Sequence, residues 1–347
     1  MTTGRMLWFD ANRVCAAAGV VLIHSTPDFA GRPFPDADVA ERAVPVLLRS
    51  IGEFSGSEMF FLFSLFLMAL RIDRHRPRYR DAIATQAHRL LVPFAVWTLF
   101  YALFRLIKAE AFGYAPQYLA QLSQIKTWVA YLLLGNAQYH MHFLPTLFAI
   151  FLFYPVMRLA MRYPMLGVLL VATLGAMNHA QGFLYAIDLA PLTRDYLVRV
   201  TKVCGYVGYG LAALPFYGGA LLTGSFPVRA GWDYYGHFLM PLLVFCAFLG
   251  SQYSDWSPRW SVMARYTFGV YLVHPAVIDL FDIALIKTDL ALSPALLVVT
   301  RFAVVLPVAF GLAVAIGRLP AVAWTIGLGP TPWAARKARP QPGAVPA

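Results

Sequence analysis

Charge is scarce in this chain. Only 13% of its 347 residues are Asp, Glu, Lys or Arg, while 59% are hydrophobic. That balance excludes a soluble domain with a charged shell. Cysteine is scarcer still: Cys15, Cys204 and Cys246, an odd number, each inside an apolar run. They form neither a disulfide framework nor a metal-ligand spacing, so they are expected to be packing residues and no metal is expected. Acidic residues number 17 against 28 basic ones, a net charge of +11. The sequence has no stripe of alternating basic and aromatic residues on a soluble face, so nucleic acid is not an expected partner. It also has no internal repeat, no soluble domain and no Gly-x-Ser-x-Gly elbow to supply a serine nucleophile.

Apolar runs and proline are what it has. Pro93, Pro145, Pro155, Pro215, Pro241, Pro275 and Pro307 lie inside apolar segments. Proline damages a soluble helix bundle, but membrane helices tolerate it because neighbours re-satisfy the freed carbonyls. The expected fold is therefore all-α, a polytopic membrane helix bundle. Spans are read at 7–26, 59–70 (with a broken extension back to 44), 90–108, 143–159, 165–177, 203–223, 234–249, 268–286 and 295–316, and a short interfacial helix at 128–134. Polar segments fall at 27–43 and 178–202. Arg71, Arg74, Arg76, Arg78, Arg80 and Arg89, against only Asp73 and Asp81, mark 71–89 as a cytoplasmic loop. A cytoplasmic N-terminus and a cytoplasmic basic C-terminus need an even count, so about ten transmembrane helices are expected. Residues 1–330 read as a single transmembrane domain. Residues 331–347 read as a Pro-rich basic tail, expected to be disordered. Arg5 and the small residues at 16–18 imitate a signal peptide, but Asp10 and Arg13 interrupt its core, and the segment is read as retained.

The first span carries the most information. Arg13 and His24 are eleven residues apart, which leaves them about 20° apart around a helix axis. Asp10 lies about 40° from His24 on the other side of the same stripe. Ionisable groups on one face of an apolar helix are costly and point to a wet cavity or a bundle interior.

Four stretches then resemble the integral-membrane acyltransferase family 3, bacterial enzymes that move acyl groups onto sugars and related acceptors. Phe9-Asp10 with Arg13 and His24 is similar to the family's first-helix signature of an Arg and a His with ten residues between them. Phe60-Phe61-Leu62-Phe63-Ser64 resembles its Phe-Phe-x-x-Ser-Gly. His140-Met141-His142-Phe143-Leu144, followed by Tyr154-Pro155, is similar to its His-Leu-Trp-Phe-Leu. Phe268-Gly269-Val270-Tyr271-Leu272-Val273-His274-Pro275 resembles its Ser-Phe-Gly-x-Tyr-Leu-x-His. There are departures: Leu65 replaces a usual Gly, His142 replaces an aromatic, and of a basic pair three apart before the third helix only Arg89 is present, with Gln86 in the first place.

The resemblance implies an O-acyltransferase that takes an acyl group, expected to be acetyl, from acyl-CoA to a hydroxyl of a cell-envelope sugar or lipid-linked glycan, in the bacterial cytoplasmic membrane. The expected catalytic set is His24, Arg13 and Asp10. His24 would be the base, since imidazole titrates near neutrality. Arg13, about 16 Å down the helix, would hold the donor or pair with Asp10. Donor phosphates would meet Arg89, Arg71 and Arg74, because guanidinium matches phosphate geometry; simple topology is the other reading of those arginines. Acceptor contacts are expected from His140, Tyr271, His274 and Glu58, with Glu58 alternatively paired to Arg49, and Tyr271 with His274 alternatively a core hydrogen-bonded pair. Arg301 should face the bundle. A direct ternary reaction and a covalent acyl-histidine both remain open, as do succinyl as the acyl group and the oligomeric state. The rival class is a proton-coupled transporter using an Asp10/Arg13/His24 relay.

Overall fold

A computed structural model describes residues 5–163, 165, 184, 187–205 and 232–331; the side chains of 57, 58, 201–205 and 232–240 lie outside the described set. The described residues form helices without a strand. In chain order these are α1 (Leu7–Ser25), α2 (Val39–Glu53), α3 (Ser57–His75), α4 (Tyr79–Ala111), α5 (Ala115–Leu122), α6 (Ile125–Leu134), α7 (Phe143–Leu152), α8 (Tyr154–Arg162), α9 (Pro191–Gly205), α10 (Trp232–Gly250), α11 (Arg259–Ala264), α12 (Thr267–Lys287) and α13 (Pro294–Arg318), followed by a short 3₁₀ turn, Ala323–Ile326.

Three of them, α4, α12 and α13, are long and apolar enough to cross a membrane, and α7 with α8 makes a fourth if the bent pair is one span. The described residues thus account for three or four of the expected ten or so. Helix α1 is not among them. Its Asp10, Asn12, Arg13 and His24 lower its hydropathy, and 14 of its 19 residues are buried. It is a helix inside the bundle rather than one facing lipid. Helix α3 ends in Arg71, Asp73 and Arg74 and begins with Glu58, too many charges for the hydrocarbon core.

Several boundaries differ from the sequence reading. Residues 71–89 are not a loop. Helix α3 continues to His75, only 76–78 intervene, and α4 starts at Tyr79. Arg76 takes the left-handed conformation (φ 41°) just before Pro77 and makes the break. Apolar runs mark where a helix meets lipid, not where its hydrogen bonds stop. The return span 143–159 bends by 55° between α7 and α8, where Pro155 supplies no N–H and crowds the preceding turn. Part of the polar segment 178–202 is helical, because α9 starts on Pro191, a favoured first-turn residue. Residues 166–183, 206–231 and the tail from 332 lie outside the described set, and so do the spans expected at 165–177 and 203–223, apart from their ends.

Helix α1 runs through the centre, against α2, α3, α10, α11, α12 and α13. It approaches α2 closely at Gly19 and Gly52. A Cβ on Gly19 would meet Ser55 Oγ at 2.4 Å and the Ser55 carbonyl at 2.8 Å. A capping box, with Glu41 N donating to Asp38 Oδ1 at 2.7 Å, starts α2 at the right place for this crossing. The main core gathers Phe61, Tyr101, Met141, Leu144, Leu272 and Val305 around α4, α7, α12 and α13.

Candidate active site

The two ends of α1 open on different surroundings. At the Arg13 end lies a cavity of about 800 Å³. Arg5, Arg13, Arg71, Arg89 and Arg265 line it together with His88, Gln86 and Ser64, and Phe60, Phe143 and Phe268 form its apolar wall. Helices α1, α3 and α4 each bring an arginine into one space, although the residues are up to 76 positions apart in sequence. Gln86, the departure from the basic pair, faces the same cavity as Arg89. Arg74 is exposed and is not part of the lining.

Asp10 is buried beside this cavity and organises its rim. Arg5 Nε donates to Asp10 Oδ2 at 2.6 Å, Ser261 Oγ donates to the same oxygen at 2.7 Å, and Arg13 Nη1 lies 3.7 Å from Oδ1. Arg13 Nη2 also donates to Thr267 Oγ1 at 3.3 Å, on the first residue of α12. Asp10 therefore holds two arginines, and its nearer partner is Arg5, which the sequence reading did not pair with it. One carboxylate among five guanidinium groups leaves the cavity strongly positive, suited to an anionic ligand.

At the other end of α1, three imidazoles meet. The His24 ring stacks on His274 at 5.4 Å between centroids (24° interplanar), and His140 meets His274 edge-on at 5.4 Å. Tyr139 lies 4.5 Å from His24, and Tyr101 lies 5.1 Å from His140. The hairpin 135–142 delivers His140. Gly135 closes α6 at φ 71°, and a Cβ there would meet His142 N and Cα at 2.5 Å, so only glycine permits the tight fold-back. His142 Nδ1 is 2.6 Å from the Tyr139 carbonyl and heads α7.

Buried His140 and His274 are under-used as hydrogen-bonding groups. His274 Nδ1 lies 3.2 Å from the Val270 carbonyl, which assigns the proton to Nδ1 and leaves Nε2 as a bare acceptor. That Nε2 and both ring nitrogens of His140 have no hydrogen-bond partner among the described residues. Buried polar atoms are seldom left so, which singles this cluster out as a candidate binding place. Tyr271 and His274 are not a hydrogen-bonded pair: the Tyr271 hydroxyl donates to the His140 carbonyl. The Tyr271 ring stands between the two loci, 6.0 Å from Phe60, 5.5 Å from Phe143 and 6.4 Å from Phe268 on the cavity side, and 5.2 Å from His140 on the other.

Arg49 pairs with Glu53 at 3.2 Å and donates to the Ile23 carbonyl at 3.3 Å; the side chain of Glu58 lies outside the described residues. No group of three or more His, Cys, Asp or Glu among the described residues is arranged to hold a metal ion. The sequence reading missed Tyr139, Ser261 and Thr267 at the site. It also missed Asp279 and Asp282, two acids three apart in an apolar helix, a signal open to the same argument that singled out Asp10.

A family model described as an acyltransferase domain matches residues 6–187, slightly more than half of the chain. The match includes Asp10, Arg13, His24, Arg89 and His140, while Tyr271 and His274 lie beyond it and are brought to the same place by α12. Neither a curated protein nor a solved structure matches the chain. With the family's first-helix residues at the two ends of α1 and its model spanning half the sequence, the chain belongs to acyltransferase family 3 and is a membrane acyltransferase.

Proposed function

We propose that the protein moves an acyl group, acetyl by preference, from acyl-CoA to a hydroxyl of a cell-envelope sugar or lipid-linked glycan. One observation carries this reading: a single helix presents Arg13 to a basic cavity and His24 to an imidazole cluster, about 16 Å apart along its axis. A CoA thioester is a molecule of that shape, with phosphates at one end and the reacting carbonyl at the end of a slender arm.

The phosphates are held by Arg13, Arg89 and Arg71, with Asp10 fixing the Arg13 and Arg5 guanidinium groups. The arm passes the Phe60, Phe143 and Tyr271 rings toward His24. The acceptor hydroxyl lies against His24, with the free nitrogens of His140 and His274 bonding its neighbouring hydroxyls. His24 takes the hydroxyl proton as the oxygen attacks the thioester carbonyl. The tetrahedral intermediate collapses, the C–S bond breaks, and the departing thiolate recovers the proton from His24 as CoA thiol. Water is kept from the thioester by the aromatic wall. The arginine-rich end faces the cytoplasm, as the positive-inside bias requires, so donor and acceptor arrive from opposite sides of a bacterial cytoplasmic membrane. Residues 1–330 act as one catalytic domain.

The test is thiol release from acetyl-CoA by purified protein in nanodiscs, with and without an envelope-glycan extract. Release stimulated by the extract supports the reading. Absence of both release and acyl-CoA binding would overturn it and favour a carrier. Succinyl-CoA in parallel decides the acyl group.

A further inference from the structure

Helix α12 carries His274, and it is also tied to the two other segments that carry the histidines. Arg301 of α13 is 1% exposed. Its Nε donates to Asp282 Oδ1 at 2.9 Å, and its Nη2 lies 2.8 Å from the same oxygen. Its Nη1 donates to the carbonyls of Ser25 and Pro27, at 3.0 and 2.7 Å. The last carbonyls of a helix have no partner within it. Here the orphan carbonyl of Ser25, and that of Pro27 just beyond the helix, are taken by a guanidinium that Asp282 anchors. The second tie is at Asp279, 1% exposed. Gln138 Nε2 donates to its Oδ2 at 2.9 Å, and Lys108 Nζ of α4 lies 2.6 Å from its Oδ1. Gln138 stands two residues before His140, and the Tyr271 hydroxyl holds the carbonyl of His140 itself. Tyr271 and Asp282 are eleven residues apart, so they share a face of α12 within about 20°.

Buried ion pairs are weak contributors to stability, because desolvation offsets their attraction. Two buried carboxylates on one helix, each paired with a cation and tied to the backbone or amide beside a site histidine, suit a different task. We propose that Asp279 and Asp282 are positioning residues: through Arg301 and Gln138 they hold the α1 terminus and the 135–142 hairpin in register with α12, and so set His24, His140 and His274 against one another. The inference rests on the acyltransferase reading for its effect on turnover, but the alignment itself does not.

The experiment uses the full chain in nanodiscs with Asp282→Asn, Arg301→Lys, Arg301→Met and Gln138→Leu, and Asp73→Asn at an exposed position of α3 as a control. Two quantities are read: thiol release as a function of acetyl-CoA concentration, and carbethoxylation of His24 by diethyl pyrocarbonate, mapped by mass spectrometry. The expected result is a fall in kcat of about tenfold or more with KM for acetyl-CoA and CoA affinity held within about twofold, because misplacing a reacting group costs rate while the cavity at Arg13 is untouched. His24 modification should change by about threefold or more in Asp282→Asn, and Arg301→Lys, which keeps the charge, should retain more turnover than Arg301→Met. Gln138→Leu loses one hydrogen bond and leaves the ion pair with Lys108, so it reports even if Asp282→Asn folds poorly. Unchanged kcat and unchanged His24 reactivity in folded Asp282→Asn or Gln138→Leu would overturn the proposal. So would CoA affinity and turnover falling in parallel, the mark of general destabilisation. If the wild type neither releases thiol nor binds acyl-CoA, the acyl-CoA reading fails by itself, and His24 reactivity still decides the alignment.

Discussion

The Arg13 end and the His24 end of α1 solve opposite problems with one helix. At the first, five arginines line one cavity, two of them paired with a buried carboxylate, and the excess charge lies open to it. At the second, three imidazoles pack against tyrosines, and three ring nitrogens lack partners among the described residues. Charge suits holding an anion at a distance from the reaction. Imidazole rings in an enclosed place suit moving one proton. The separation teaches that binding and chemistry should fail independently when each end is altered.

The largest effect is expected at the imidazole end. His24→Ala should lower acyl transfer by about 10²–10⁴-fold, the usual share of a general base, while CoA binding stays intact in calorimetry. At the basic end, Arg89→Ala should raise the Kd for CoA by about 10–100-fold, from loss of one charged hydrogen bond. The affinity should weaken with ionic strength, since the cavity is open to solvent ions. The partition between the ends comes next. Phe60→Ala removes one ring of the Phe60–Phe143–Tyr271 wall, and the ratio of butyryl to acetyl transfer should rise by about tenfold, measured with the two thioesters in competition. The smallest effect on activity is expected from Gly19→Ala. The added methyl meets the Ser55 carbonyl at 2.8 Å, a backbone atom that cannot turn aside. It should cost about 1–3 kcal/mol of stability, read as a lower thermal midpoint in nanodiscs, with CoA affinity little changed.

Much of the α1 comparison was legible in the sequence. Asp10, Arg13 and His24 stand out because ionisable residues on an apolar helix are costly, and their spacing alone places them on one stripe. Tyr271 and His274 were legible as a motif, but not their partners. The hydroxyl of Tyr271 reaches a carbonyl 131 positions away, and nothing local specifies that. The same holds for Arg301, which plainly had to face the bundle, while Asp282 and the Ser25 carbonyl as its partners needed the packing of α1, α12 and α13. Helix ends were the least legible part. Apolar content says where lipid begins, so the charged first turns of α4 read as loop although their backbone is helical.

The most direct test of the account is CoA binding and thiol release measured side by side on Arg13→Ala and His24→Ala. Two ends with two tasks predict that Arg13→Ala loses CoA affinity and recovers turnover as acetyl-CoA is raised, whereas His24→Ala binds CoA like the wild type and stays slow at every acetyl-CoA concentration. If the two variants instead lose binding and turnover together, or if His24→Ala keeps its turnover, the division of labour along α1 is contradicted.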